Sequence, residues 1–325
     1  MCRAHGSEKV PVIDLSQTEE AAAQEVRQAC ISAGFFYVSN HGVPDNIMER
    51  YAEQNRKFFA LPVQEKLRIL ADKNNRGYTP MAEETLDPAN QTEGDSKEGL
   101  YIGREIPADS EEATKPLHGP NQWPSEALLP DFRPVTMEYF HAMHVLGLRL
   151  VRLIALALQL PADHFDSNFD KPLINLRPLH YSAKVSRPSE GIYGAGAHTD
   201  YGMLTLLATD KNPGLQICLD GQWQDVPPMP GMLIVNLGDM LERWTNGMFR
   251  STLHRVISTC GCDRYSTAFF LEPNFDTVVE CLPQCCIDTP ARFPPTTSGQ
   301  HLLDKYAQTH AGLDAGIKKL ASEAA

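Results

Sequence analysis

Five side chains in the second half of the chain could do chemistry together. His198 and Asp200 stand two apart in "GAGAHTDYGMLTLL", His254 lies in "STLHRVIS", and Arg264 and Ser266 stand two apart in "DRYSTAFF". In a strand, residues i and i+2 face the same way. His198 and Asp200 lead straight into the apolar run Met203–Leu207, so one strand face is expected to carry both into the interior. A satisfied polar pair at a strand end would read the same way. With His254 added, two imidazoles and a carboxylate make the facial set of non-haem Fe(II) sites, which leaves three octahedral positions open. The same set could hold tetrahedral zinc with water in the fourth position. Arg264 and Ser266 place a guanidinium and a hydroxyl side by side, a pairing suited to a carboxylate.

Each motif has a second copy that context sets aside. His164-Phe165-Asp166 follows a helix and Pro161 in polar sequence. If it is helical, its two ionisable residues diverge by about 200°. Arg187-Pro188-Ser189 sits beside a proline and reads as a turn. His180 is next to Tyr181 and so points to the opposite face of its strand, as a satisfied core histidine. Asn236 and Asp239, in "VNLGDMLERWTNG", read as a loop shaping the rim of the site, and Trp244 as packing.

These residues need a scaffold of matching size. The chain has 325 residues, 42% hydrophobic and 22% charged, as in an ordinary globular protein with a sizeable core. Its 29 Lys+Arg against 41 Asp+Glu give a net charge of −12. No basic stripe remains for a phosphate backbone, so no nucleic-acid partner is expected. The acidic balance mildly favours cationic small molecules. "MCRAHGSEKVPVIDL" has no apolar signal-type core, and "KKLASEAA" matches no targeting signal. "VLGLRLVRLIALALQL", broken by Arg149 and Arg152, reads as too short to span a bilayer. The expectation is a cytoplasmic protein with no membrane partner. Its eight cysteines, Cys2 among them, are then expected to be reduced thiols. Cys260-x-Cys262 and the Cys281, Cys285, Cys286 group do not match the usual paired spacing of a zinc site.

The chain divides by texture. "VPVIDLS" reads as a strand, and Thr18 caps a helix whose Ala22, Val26, Ala29 and Ala33 recur at helical spacing up to Gly34. "FFYVSN" is β-rich, Pro44 opens a second helix, and the polar stretch from Lys73 to Lys97 reads as a long loop. A helix is predicted over roughly Val135 to Leu160. After Leu173, short β-like runs recur at sandwich or barrel spacing, and a helical pattern returns from Gln300. The expected fold is mainly β with flanking helices. Its parts are a helical and strand portion over 1–160, a core over 174–285 and a C-terminal loop and helix over 286–325, all in one folding unit.

From about Val10 to His310 the chain resembles the Fe(II)/2-oxoglutarate-dependent dioxygenases of the isopenicillin N synthase-like group. The resemblance rests on "VPVIDLS", "GFFYVSNHGV", "RGY", "LRPLHYS", "GAHTDYGMLTLL" and "RYSTAFFLEPN". It implies a double-stranded β-helix (a cupin-like jelly roll) with His198, Asp200 and His254 on Fe(II). It also implies Arg264, Ser266 and Tyr181 on the distal carboxylate of 2-oxoglutarate, with O2 as cosubstrate and ascorbate as a reductant. Ser182 stands where the group more often has proline, and His41 falls in a structural turn. The implied reaction releases succinate and CO2 while a small-molecule C–H bond is hydroxylated. Desaturation, ring closure and demethylation share the same residues.

"GYTPMAEETLDP", "KPLHGPNQWP" and "FFLEPNFD" are similar to one branch, which holds the ethylene-forming enzyme and plant hydroxylases of guanidino amino acids. That likeness puts Glu83 and Glu84 on a substrate guanidinium, with Tyr201 beside the substrate; two solvated loop glutamates are the plainer reading. Arg187 and Arg104 are candidates for the substrate carboxylate. Four alternatives stay open here: a dioxygenase acting on a neutral specialised metabolite, an oxidase that does not use 2-oxoglutarate, a zinc hydrolase, and a binding protein on the same fold. Succinate release and metal analysis separate them. The oligomeric state is open.

Overall fold

Thr18 Oγ1 accepts the Ala21 amide at 3.3 Å, and helix α1 (Glu19–Ser32) begins there with Glu19 and Glu20 in its first turn. Gly34 ends it at a φ of +63°, where a Cβ would lie 2.2 Å from the Arg250 carbonyl oxygen. Only glycine meets both demands. Pro44 precedes α2 (Asp45–Phe59), which is followed by the short α3 (Val63–Leu67) and the long α4 (Phe132–Ala157). The computed structural model describes residues 10–309; Cys2 and the "KKLASEAA" segment lie outside them.

Twelve strands build two facing sheets, here β1 (Val12–Asp14), β2 (Phe35–Ser39), β3 (Gly77–Thr79), β4 (Lys97–Tyr101), β5 (Pro172–Tyr181) and β6 (Ala195–His198). They continue as β7 (Leu204–Thr209), β8 (Leu215–Leu219), β9 (Gln222–Asp225), β10 (Leu233–Leu237), β11 (His254–Val256) and β12 (Arg264–Asn274). The major sheet has eight strands in the order β1-β2-β10-β7-β12-β5-β4-β3, and the minor sheet four in the order β6-β11-β8-β9. β1 pairs with β2 in parallel; its neighbours across the major sheet are antiparallel. Phe35, Tyr37 and Ile234 of the major sheet pack on Leu215 and Ile217 of the minor one. The helices cover the outer face of the major sheet: Tyr51 of α2 stacks on Tyr139 of α4 at 4.2 Å, and a Cβ on Gly147 of α4 would lie 2.7 Å from Leu271 Cδ2 of β12. Two further helices are α5 (Asp239–Trp244) and α6 (Ser298–Thr309). One large hydrophobic cluster runs from Ile13 to Tyr306.

Three expectations need correction. α4 has 26 residues and is long and apolar enough to cross a membrane. The apolar stretch read as too short is only its C-terminal part, and its apolar side is spent on the core through Tyr139, Met143, Leu150 and Ile154. The polar stretch after Lys73 is not all loop, because it contains β3 and ends at the first residue of β4. β4 looked like loop because Lys97 and Glu98, which are charged, are buried there in ion pairs. Cys260 and Cys262 are joined by a disulfide across an exposed turn, so they are not thiols; Cys30, Cys218, Cys281, Cys285 and Cys286 are free.

Candidate active site

His198 ends β6 and lies directly across from His254 of β11. Asp200 is not on that strand. It sits in the crossing from the minor sheet at His198 to the major sheet at Leu204. The expected shared strand face is therefore a strand end plus a crossover, since the chain must leave one sheet to enter the other. The metal-ligand atoms of His198, Asp200 and His254 still converge, all lying within 4.8 Å of one another. Asp200 Oδ1 is 3.7 Å from His198 Nε2 and 3.5 Å from His254 Nε2.

The surroundings point each ligand inward. His198 Nδ1 lies 2.8 Å from the Gly196 carbonyl oxygen and His254 Nδ1 lies 3.0 Å from that of Thr252. With each Nδ1–H donated to a carbonyl, each Nε2 keeps its lone pair for a metal. Asp200 Oδ2 accepts from Thr205 Oγ1 at 2.5 Å and from Asn236 Nδ2 at 2.6 Å, which leaves Oδ1 turned to the histidines. Asn236 is thus no rim residue. It is a buried strand residue of β10 that holds the carboxylate. Burial, and then the neighbouring His254, push His198 down to about 4. Burial works against ionisation of Asp200, yet the two histidines with Thr205 and Asn236 hold it below the usual carboxylate range. A neutral His198 imidazole beside an ionised Asp200 carboxylate suits a divalent cation.

The remaining residues share one cavity with that set. Arg264 pairs in register with Tyr181 and Ser266 with Leu179, so alternation along β12 and β5 turns Arg264, Ser266 and Tyr181 inward together. Arg264 is 3% exposed, its Cζ lies 4.9 Å from the centre of the Tyr181 ring, and its Nη1 is buried without a hydrogen-bond partner. Tyr201 also lines the cavity.

Glu83 and Glu84 part company. Glu83 is exposed, while Glu84 is buried in the cavity wall. Glu84 is already engaged: Arg177 Nη2 lies 2.7 Å away, Lys97 Nζ lies 3.0 Å away, and the Tyr101 hydroxyl donates to it at 2.9 Å. Arg187 pairs with Glu190 on the surface and Arg104 pairs with Glu112; neither lines the cavity. Arg177 does, stacked on Tyr101 at 3.6 Å, with Nη1 buried and without a hydrogen-bond partner. Sequence reading missed it, although Arg177, Leu179 and Tyr181 alternate onto one face and Tyr181 had been singled out. The decoys fall elsewhere. His164 and Asp166 are exposed, Pro188–Glu190 is a short 3-10 turn, and His41 Nδ1 accepts the Val43 amide within its own turn. His180 faces away from the cavity, 2.8 Å from Glu98.

A jelly roll that brings two histidines and an aspartate together is the arrangement of a non-haem iron oxygenase. The chain belongs to the 2OG-Fe(II) oxygenase superfamily, whose family model matches residues 173–273. A second, described as the N-terminal part of a non-haem dioxygenase in morphine synthesis, matches residues 10–126. The chain is 39% identical to kihadalactone A synthase of Citrus sinensis, with 94% of each chain covered. It is 36% identical to a homoarginine-6-hydroxylase of Oryza sativa subsp. japonica, with 87% of each covered. A full-length Neurospora crassa protein crystallised with alpha-KG superposes with a TM-score of 0.82 at 30% identity, covering 93% of this chain and 98% of that one. The protein is an Fe(II)- and 2-oxoglutarate-dependent oxygenase. The donor set found here fits that iron, and the orphaned Nη1 of Arg264 fits an incoming carboxylate.

Proposed function

We propose that this oxygenase hydroxylates a C–H bond of a small amino-acid-type substrate that carries a carboxylate and a cationic nitrogen, with guanidino amino acids as the leading class. Arg177 carries the reading: a buried guanidinium in the cavity wall keeps one nitrogen without a protein partner, and a carboxylate would complete it. The homoarginine-hydroxylase relative supports the cationic half.

In this reading His198, Asp200 and His254 hold Fe(II), and Arg264 and Ser266 take the distal carboxylate of 2-oxoglutarate beside Tyr181. The loaded site supplies oxidative decarboxylation of 2-oxoglutarate with O2, giving succinate and CO2, with the second oxygen atom delivered to the substrate. The chain's own task is placement. Thr205 and Asn236 fix Asp200, and Gly196 and Thr252 fix the imidazole tautomers. Phe35, Leu179, Leu207, Val256 and Phe270 line the cavity and keep water away. Arg177, steadied by Glu84 and Tyr101, orients the substrate by its acid group. The test is anaerobic reconstitution with Fe(II), then O2-dependent succinate release against a panel of amino acids and neutral metabolites. Guanidino amino acids should accelerate release. Stimulation by neutral terpenoid or aromatic compounds alone would overturn the substrate class.

A further inference from the structure

The cavity holds a second buried carboxylate, and its circumstances differ from those of Glu84. Glu272 lines the same cavity and is 3% exposed. One oxygen, Oε2, accepts the Met203 amide at 2.5 Å. No cation is among the groups that act on it, and among the described residues none pairs with it. Burial pushes it up to about 8, with the Asp200 charge adding and the Met203 amide opposing. A buried carboxyl without a counter-ion stays protonated, and a cation brought beside it would favour its ionised form.

Its position is as informative as its isolation. Along β12 the residues Arg264, Ser266, Ala268, Phe270 and Glu272 alternate onto the cavity side. Arg264 and Ser266 stand at one end of this row. Phe270 pairs in register with Thr205, whose hydroxyl holds Asp200, so Asp200 lies level with Phe270, one inward-facing position short of Glu272. Glu272 lies beyond it, at the end away from Arg264. The backbone opposite is kept bare for it: a Cβ on Gly202 would fall 1.6 Å from Glu272 Oε2. Any side chain at 202 would expel the carboxylate from this place. Tyr306 of α6 and Asp200 are the titratable groups that interact with it.

We infer that Glu272, and not Glu84, receives the cationic nitrogen of the substrate, a guanidinium or an amine, while Glu84 serves as the counter-ion that orients Arg177 toward the substrate carboxylate. This rests on the amino-acid reading above and names the missing half of that site.

The test compares L-arginine with its neutral isostere L-citrulline, in wild type, Glu272→Gln and Glu84→Gln. Binding is measured by anaerobic calorimetry on enzyme loaded with Fe(II) and 2-oxoglutarate. The glutamine oxygen can still accept the Met203 amide, and a thermal melt verifies each fold. Glu272→Gln should weaken L-arginine about 30-fold or more, the loss of a buried charge partner, and L-citrulline only about threefold. Glu84→Gln should weaken both by a similar factor, because both carry the carboxylate that Arg177 holds. If Glu84→Gln loses L-arginine selectively while Glu272→Gln binds it as wild type does, Glu84 is the receptor and the inference is overturned. If wild type binds no cationic amino acid at all, the substrate class falls first and the inference falls with it.

Discussion

The two ends of the cavity are built by different means. At the iron and cosubstrate end, strand geometry does the positioning. Arg264, Ser266 and Tyr181 alternate inward, and His198 faces His254 across a ladder. Along the β4–β5 wall, where the substrate is proposed to sit, positioning depends on charge. Glu84, Asp95, Lys97 and Arg177 are all buried, and they hold one another in place. A ladder tolerates loss of one side chain, because its backbone hydrogen bonds remain. A buried ion cluster does not, because each removal leaves an uncompensated charge. The iron end should therefore lose function without losing the fold, while the substrate end should lose both together.

The largest effect expected is at the metal. His254→Ala should lower succinate release by at least about 1000-fold and abolish stoichiometric iron binding, while the thermal midpoint of the metal-free protein stays within a few degrees. A variant that still binds iron at full stoichiometry and turns over would break the iron assignment. Next comes Glu84→Ala, which strands Arg177 and Lys97. About 3–5 kcal/mol of stability should go, read as a drop in the denaturant midpoint. If this variant melts like wild type, the contrast between the two ends is wrong.

Arg264→Ala should raise the KM for 2-oxoglutarate in proportion to a loss of about 2–5 kcal/mol, with iron binding retained. An unaltered KM would point to an oxidase that does not use 2-oxoglutarate. Asn236→Ala removes one of the two hydrogen bonds on Asp200 Oδ2, and iron affinity should fall about 10–100-fold by competition with a chelator. The smallest effect lies far from the site: Thr18→Ala should cost about 1 kcal/mol through the cap of α1 and leave succinate release at wild-type rates.

The same contrast explains what was legible in the sequence. Period-two alternation is a local rule, so Arg264 with Ser266 could be read from spacing, and His198 and His254 stood out as histidines in apolar runs. Asp200 was found for a reason that was only partly right, since it comes from a crossover and not from the strand. Asn236 was invisible as a support for Asp200 because nothing local links residues 36 apart. The substrate end was harder still. Charged residues such as Lys97 and Glu98 make a buried strand look solvated, and a pairing such as Glu84 with Arg177 follows only from the sheet order that brings β4 beside β5. Glu272 sat in a quoted motif, yet nothing in its spacing said that it would lack a cation.

The crossover at Asp200 has a mechanical consequence. His198 and His254 belong to the minor sheet, whereas Asp200 is anchored through Thr205 and Asn236 to β7 and β10 of the major sheet. An ion held by all three residues is therefore a rivet through both walls of the sandwich. Prying the sheets apart must break its coordination, so part of the metal's binding free energy resists opening of the barrel mouth. Iron loading and resistance to proteolysis at the β6–β7 crossing should rise and fall together.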